Sequence, residues 1–161
     1  VECPEGLRGG FTIPDRHLAV GEAEAAATAG TTAASSGERF AARAGLNVLI
    51  LEDQLVIAVG LEQILTDAGV DCVMTASSEH EAMQLLTVGQ PDAAILDVNL
   101  GRSSSISVAD ELTRRGIPFL FATGYGDGIS IPAHLKHIPV TRKPYDTSTI
   151  LANLQSLLKP Q

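Results

Sequence analysis

The chain is poor in aromatic residues, which make up 4% of its 161 residues and include no tryptophan. Hydrophobic residues still reach 45%, so any core must be built mainly from Leu, Ile, Val and Ala. That length is about one domain. Positive charge is also scarce: 11 Lys and Arg stand against 19 Asp and Glu, a formal net charge of −8. Nucleic-acid binding rests on clustered basic residues set against phosphates, and no such cluster occurs, so no nucleic-acid partner is expected. Long apolar runs are missing too. None approaches the roughly 20 residues that span a bilayer, so no membrane segment is expected. The two cysteines, Cys3 and Cys72, have no nearby Cys or His, which suggests neither a metal site nor a disulfide framework. Cys72 lies in the mostly apolar run Val70 to Met74 and reads as a buried thiol, a usage that fits a reducing cytoplasm. The chain starts at Val1, which reads as a processed or excised end, and no basic start with an apolar stretch marks a signal peptide.

What is present is regular only after residue 44. Residues 1–44 hold little periodic pattern, and Glu22 to Ser36 is mostly Ala, Thr, Gly and Ser. This part reads as a low-order tail or linker, with a domain over residues 45–161. Apolar runs at Asn47–Leu51, Val70–Met74, Ala93–Leu96, Phe119–Ala122 and His137–Thr141 predict strands. Between them, Gln54–Ala68 predicts a helix with Ile57, Leu61, Ile64, Leu65 and Ala68 on one stripe, ended by Gly69. Ser78 and Glu81 fit a capping box for a second helix that turns Ala82, Leu85 and Leu86 inward. Further helices are expected over Ser107–Arg115 and Asp146–Leu158, with a loop over Gly101–Ser105. The segment Ile129–Lys136 contains Pro132, so any helix there is short. Five strand–helix units in sequence predict a doubly wound (βα)5 α/β fold of flavodoxin type. This is a three-layer sandwich around a five-stranded parallel sheet in the order 2-1-3-4-5.

Chemistry collects at the carboxyl ends of those strands, where open parallel sheets bind ligands. Glu52 and Asp53 end the first strand, Asp97 the third, Thr123 the fourth, and Lys143 follows the fifth. Taken singly, each has a plain structural reading as a cap, a turn residue or a solvated charge. Taken together at converging ends, packing alone does not explain them. Three clustered carboxylates call for a cation, and hard oxygen ligands suit Mg²⁺. An Asp carboxylate can act as a nucleophile and form an aspartyl phosphate. A hydroxyl and an amine across the pocket suit phosphoryl oxygens, and phosphoryl transfer needs chiefly positioning and charge neutralisation.

These motifs, in this order from about Leu46 to Leu158, resemble the receiver domain of bacterial response regulators. The stretch Pro118-Phe119-Leu120-Phe121-Ala122-Thr123-Gly124-Tyr125-Gly126 resembles more particularly the alphaproteobacterial Phe-Ala-Thr-Gly-x-Gly type. The resemblance implies a phosphoacceptor at Asp97 that takes its phosphoryl group from a histidine kinase or phosphotransfer protein. It implies Mg²⁺ held by Asp53, Asp97 and the carbonyl of Asn99, with Glu52 acting through water. Thr123 and Lys143 then hold the phosphoryl group, and Lys143-Pro144 is expected to be a cis peptide bond. One departure matters: Val140 stands where most receivers carry an aromatic switch residue, three positions before the lysine. Tyr125 is therefore the candidate to carry the signal.

Two other readings compete. Haloacid-dehalogenase-like phosphohydrolases also use an Asp nucleophile and Mg²⁺, but usually carry a second Asp two residues later, where this chain has Asn99. A pseudo-receiver that binds partners without phosphate fits the intact acid set poorly. The favoured reading is a cytoplasmic monomer or weak dimer that phosphorylates and dephosphorylates itself and turns over no separate substrate. No DNA-binding output domain is expected, so output runs through a downstream protein partner, unless the chain is a receiver cut from a hybrid kinase.

Overall fold

Val48, Leu49, Ile50 and Leu51 are all fully buried, so the first strand is covered on both faces. An uninterrupted apolar run of this kind belongs to a parallel sheet sandwiched between helices. In the structure, a computed structural model, residues 45–101, 103–124 and 131–159 are described. The expected tail at residues 1–44 and the loop residue Tyr125 lie outside them. The elements run β1 (Asn47–Leu51), α1 (Leu55–Asp67), β2 (Cys72–Ala76), α2 (Glu79–Val88), β3 (Ala93–Asp97), β4 (Asn99–Leu100), β5 (Ser103–Ser104), α3 (Ile106–Arg115), β6 (Phe119–Thr123), β7 (Val140–Arg142) and α4 (Thr147–Leu158). A single 3-10 turn covers Ala133–Leu135, in keeping with the short helix expected before the last strand.

The main sheet is parallel throughout and ordered β2-β1-β3-β6-β7. Apart from the two-residue strands β4 and β5, this is the expected 2-1-3-4-5 order, a flavodoxin-like α/β fold. Alternation along the strands divides the core. Val48, Ile50, Ile95, Leu120 and Ala122 join Leu61 and Leu65 of α1 and Ile150, Leu151 and Leu154 of α4 in one cluster. The intervening residues, Leu49, Leu51, Ala94, Leu96 and Phe121, point to the opposite face of the pleat. There α2 and α3 lie in contact with each other.

Several boundaries differ from those read in the sequence, each for a local reason. The second strand starts at Cys72 rather than Val70, because the end of α1 uses the intervening residues. Gly69 adopts φ +95°, its N–H donates to the Thr66 carbonyl, and the Val70 N–H donates to that of Leu65. This double bond pattern is a Schellman motif. The Asp71 carboxylate then accepts the N–H groups of Gly45 and Leu46. The fifth strand starts at Val140 rather than His137, because the Ile138 N–H still donates to the Leu135 carbonyl of the preceding turn. The expected loop Gly101–Ser105 contains part of a hairpin, with Asn99 opposite Ser104 and Leu100 opposite Ser103.

On α1 the buried stripe runs through Ala58, Leu61 and Leu65, and Ile57 and Ile64 flank it half-buried. At α2 the Ser78 hydroxyl accepts from the Glu81 N–H at 3.3 Å, as a capping box requires. The Glu81 carboxylate, however, accepts from Ser77 rather than Ser78. Cys72 is buried as expected but is disulfide-bonded rather than a free thiol. Among the described residues no helix is long and apolar enough to cross a membrane.

Asp146 starts α4 directly after the Lys143-Pro144-Tyr145 turn. Its carboxylate accepts the Thr149 N–H at 2.8 Å and the hydroxyls of Ser148 and Thr149. These bonds, led by that from Ser148, hold its pKa down at about 2. A carboxylate with a depressed pKa stabilises the fold above its ordinary range, and that contribution is lost as pH falls through the folded value. Asp146→Ala should therefore lower the urea midpoint at neutral pH. The gap to wild type should close as the pH is brought down from about 4 towards about 2.

Candidate functional site

Glu52 continues the alternation of Val48 and Ile50, so its side chain turns to the α1–α4 face of the sheet. Asp97 is the last residue of the neighbouring strand β3, and both are almost fully buried, at 3% and 4% exposure. Asp53, one residue further along, is exposed. One carboxylate oxygen from each of Glu52, Asp53 and Asp97 lies within 4.8 Å of the others.

The counter-charge comes from the edge strand. Just past β7, the Lys143 amine donates to Asp97 Oδ2 at 2.7 Å and also to Glu52 Oε2. Its backbone is pinned as well, since the Lys143 N–H donates to the Thr123 carbonyl at 2.7 Å. The Lys143–Pro144 peptide bond is cis. The second oxygen of Asp97, Oδ1, accepts the Asn99 N–H at 3.1 Å. Asn99 Oδ1 in turn accepts the Gly101 N–H at 3.2 Å. Gly101 has φ +66°, and a Cβ at that position would sit 3.4 Å from Asp53 Oδ2. A side chain there would thus be strained in its backbone and would lie in contact with the exposed carboxylate.

The charges do not balance inside the pocket. Burial pushes the Glu52 carboxyl above its ordinary pKa; Lys143 pulls it back, and the Asp97 charge adds to the rise. Burial alone would lower Lys143, but its hydrogen bonds to Asp97 and Glu52 outweigh that and hold its pKa above the ordinary amine value. One amine therefore serves two buried carboxylates, with a third carboxylate at the mouth. The donor set is hard oxygen with a surplus of negative charge, which fits Mg²⁺.

Of the residues singled out in the sequence, Glu52, Asp53, Asp97, Asn99 and Lys143 are brought together. Thr123 ends β6, one residue beyond the Asp97–Ala122 pair, and is half-buried. Val140 opens β7 opposite Phe121 and is 48% exposed. Tyr125 lies outside the described residues. The sequence reading missed Tyr145. Its ring packs against the α1–α4 core, and its buried hydroxyl has no hydrogen-bond partner. Burial raises its pKa, while Lys143, Glu52 and Asp97 all act on it electrostatically. The available signal was one of only two tyrosines, set two residues after the site lysine.

A family model described as the response regulator receiver domain matches residues 48–155. This chain belongs to that family. It is similar to the transcriptional regulatory protein PdtaR of Mycobacterium tuberculosis, 33% identical over 79 residues, which are 48% of this chain and 38% of PdtaR. The phyllosphere-induced regulator PhyR of Methylorubrum extorquens is 25% identical over 126 residues, 76% of this chain and 47% of PhyR. The chain thus spans less than half the length of the curated relatives it matches. Among solved structures, SdrG from Sphingomonas melonis superposes with a TM-score of 0.63 at 37% identity, covering 71% of this chain and 98% of SdrG. A BeF3-activated conformation of SdrG matches at 36% identity with a TM-score of 0.60, over 73% of this chain and all of that one. The chain is therefore a receiver domain of a two-component system, a class that works with kinases or phosphotransfer proteins. Such domains generally bind Mg²⁺ at an acidic pocket, and Glu52, Asp53 and Asp97 form such a cluster in this receiver.

Because Lys143 is, among the described residues, the one cation paired with the buried acids, Lys143→Met should destabilise the protein by about 3 kcal/mol at neutral pH, the usual cost of leaving a buried charge unpaired. Adding Glu52→Gln should recover part of that loss, which urea denaturation of the single and double variants would measure.

Proposed function

We propose that Asp97 is the phosphoacceptor of this receiver, that Glu52, Asp53, Asp97 and Asn99 make up the Mg²⁺ site, and that Thr123 and Lys143 bind the phosphoryl group. The observation that carries this reading is the Lys143 amine on Asp97 Oδ2 at 2.7 Å, within a cluster of three carboxylates. A carboxylate oxygen of Asp97 attacks the phosphorus of a donor phosphohistidine. The new P–O bond forms as the P–N bond breaks, and the imidazole leaves. The nucleophile is already aimed, with one oxygen held by Lys143 and the other by the Asn99 N–H. Lys143 then neutralises phosphoryl oxygens, to which it makes charge-assisted hydrogen bonds. Bound Mg²⁺ supplies further neutralisation of the transferring group. Attack of water on the acyl phosphate returns inorganic phosphate and free Asp97. Asn99 cannot serve as the general acid of a phosphohydrolase, and its side-chain oxygen is engaged with Gly101. The BeF3-activated form of SdrG supports a phosphoryl-driven switch in a similar domain.

The donor protein must approach over α1. Leu55, Val56 and Val59 are 75%, 86% and 55% exposed in its first two turns, immediately after Asp53. Apolar side chains left in solvent beside a reactive carboxylate suit an apolar helix face on the histidine-bearing partner. Output runs by protein contact at the β7 edge, where Val140 is exposed. Tyr125, outside the described residues, is the side chain proposed to carry the signal to that partner. The receiver domain is taken to span residues 45–161, with residues 1–44 a tail or linker.

Asp97→Asn should abolish hydroxylamine-sensitive phosphorylation by a small acyl-phosphate donor while preserving the circular dichroism spectrum. Labelling at the wild-type level would move the acceptor elsewhere. Val56→Asp should slow transfer from a phosphohistidine protein at least about tenfold, as expected for losing an interface anchor. It should leave labelling by the small donor unchanged, and equal loss with both donors would remove α1 as the docking face.

A further inference from the structure

Strands β1, β3 and β6 are covered on both faces, but the edge strand β7 is covered on only one. Thr141 is buried, and its hydroxyl accepts from Asn153 Nδ2 of α4 at 2.8 Å. Val140 and Arg142 alternate with it and point to the other side of the sheet, the side of α2 and α3. Val140 is the Cα partner of Phe121, which is fully buried, yet Val140 is 48% exposed. Arg142 is the Cα partner of Thr123 and is exposed as well. The cover on this side therefore stops between β6 and β7. In the crossover that leads into β7, the described residues form only the 3-10 turn Ala133–Leu135. That turn is held beside α3, where His134 Nε2 meets Asp110 Oδ1 at 2.8 Å.

The charge of this edge is opposite to that of the chain. Residues 131–145 hold His134, Lys136, His137, Arg142 and Lys143 and no Asp or Glu, in a chain of formal charge −8. Arg114 and Arg115 are paired with Glu111, and Lys143 with Glu52 and Asp97. Lys136 and Arg142 are exposed and, among the described residues, enter no ion pair. Lys136 directly follows the turn against α3, and Arg142 closes β7. The uncovered face thus has an apolar centre at Val140, with an unpaired cation before and after it.

These features select the occupant. Elsewhere on this side a helix fills the layer, and an amphipathic helix lays its apolar stripe on such a surface. Its flanks must carry carboxylates to meet the two cations. Symmetric pairing of two copies through β7 would set like charges against each other, and the net charge of the chain repels nucleic acid.

We propose that the uncovered face of β7 is a docking site for an acidic amphipathic helix of a partner protein, with an apolar side chain on Val140 and carboxylates on Arg142 and Lys136. The helix extends the layer of α2 and α3 over the edge strand. This deepens the output reading given above and takes from it only that the signal leaves by protein contact at this edge. It does not depend on Asp97 as the acceptor.

The test titrates the isotope-labelled full chain, followed by NMR, with a synthetic peptide of about 20 residues, long enough to hold a helix. Its leucines form one stripe and its charged positions are glutamate; a second peptide carries lysine in their place. Both titrations are run with and without beryllofluoride and Mg²⁺. The glutamate peptide should shift the amides of Val140, Thr141 and Arg142 in at least one of the two states, and the lysine peptide should not. Arg142→Glu should weaken that binding at least about tenfold, as expected when a charge at an interface is reversed, and Arg142→Gln should weaken it less. No shift with the glutamate peptide in either state overturns the proposal. Equal binding of the lysine peptide, undiminished binding by Arg142→Glu, or shifts confined to α1 do the same. If the β7 amides move with protein concentration alone, a second copy occupies the face. If Arg142→Glu moves amides of residues 1–44 in the free chain, that segment occupies it, and either result also overturns the proposal. Failure of wild type to take up beryllofluoride would remove the phosphoacceptor reading, while the peptide titration still decides the docking site.

Discussion

A single amine shared by two buried carboxylates is the constraint on which the working edge of this protein depends. Glu52 and Asp97 end neighbouring strands and are almost wholly removed from water. Two like charges at that depth would strongly disfavour ionisation of both. Lys143 makes the arrangement tenable, and it comes from far along the chain, 91 residues after Glu52 and 46 after Asp97. The edge strand β7 must therefore lie in register with β6 before the pocket exists. Its short ladder to β6, closed by the Lys143 N–H on the Thr123 carbonyl, provides that register.

The same constraint explains why the pocket is poised rather than settled. One positive charge cannot satisfy three carboxylates, so the site carries a standing demand for a cation at its mouth, where Asp53 is exposed. Asp97 is held through both oxygens, one by the Lys143 amine and one by the Asn99 N–H. Glu52 is less well provided for, with one oxygen on Lys143 and the other unpaired. The two carboxylates thus differ in their hydrogen bonding without any real difference in burial.

Exposed apolar side chains lie on two sides of the pocket. Exposed Leu55, Val56 and Val59 flank the acid loop on one side, while exposed Val140 lies on the edge strand across the sheet. Thr123, at the end of β6, is bonded through its carbonyl to the backbone of Lys143 and so lies between the acidic cluster and that edge. The same main-chain bond fixes the position of Lys143 relative to the end of β6.

The sequence by itself determined the layers, the strand order and five of the residues that meet in the candidate pocket. Apolar runs of Val, Leu and Ile bounded by turns can be satisfied only in a sheet covered on both faces, and strand ends necessarily bring Glu52, Asp53, Asp97, Asn99 and Lys143 to one edge. Strand limits were less legible, because Val70 and Asp71 are as apolar-flanked as any strand residue yet are consumed by the end of α1 and by bonds to residues 45 and 46. The hairpin of β4 and β5 was illegible for a similar reason, since two serines opposite Asn99 and Leu100 carry no alternation. Tertiary structure alone decided how the charges pair. Which carboxylate shares the amine, which faces water, and whether the Tyr145 hydroxyl meets a partner all depend on distances between residues far apart in the chain, and pattern along a sequence carries no information on distances of that kind.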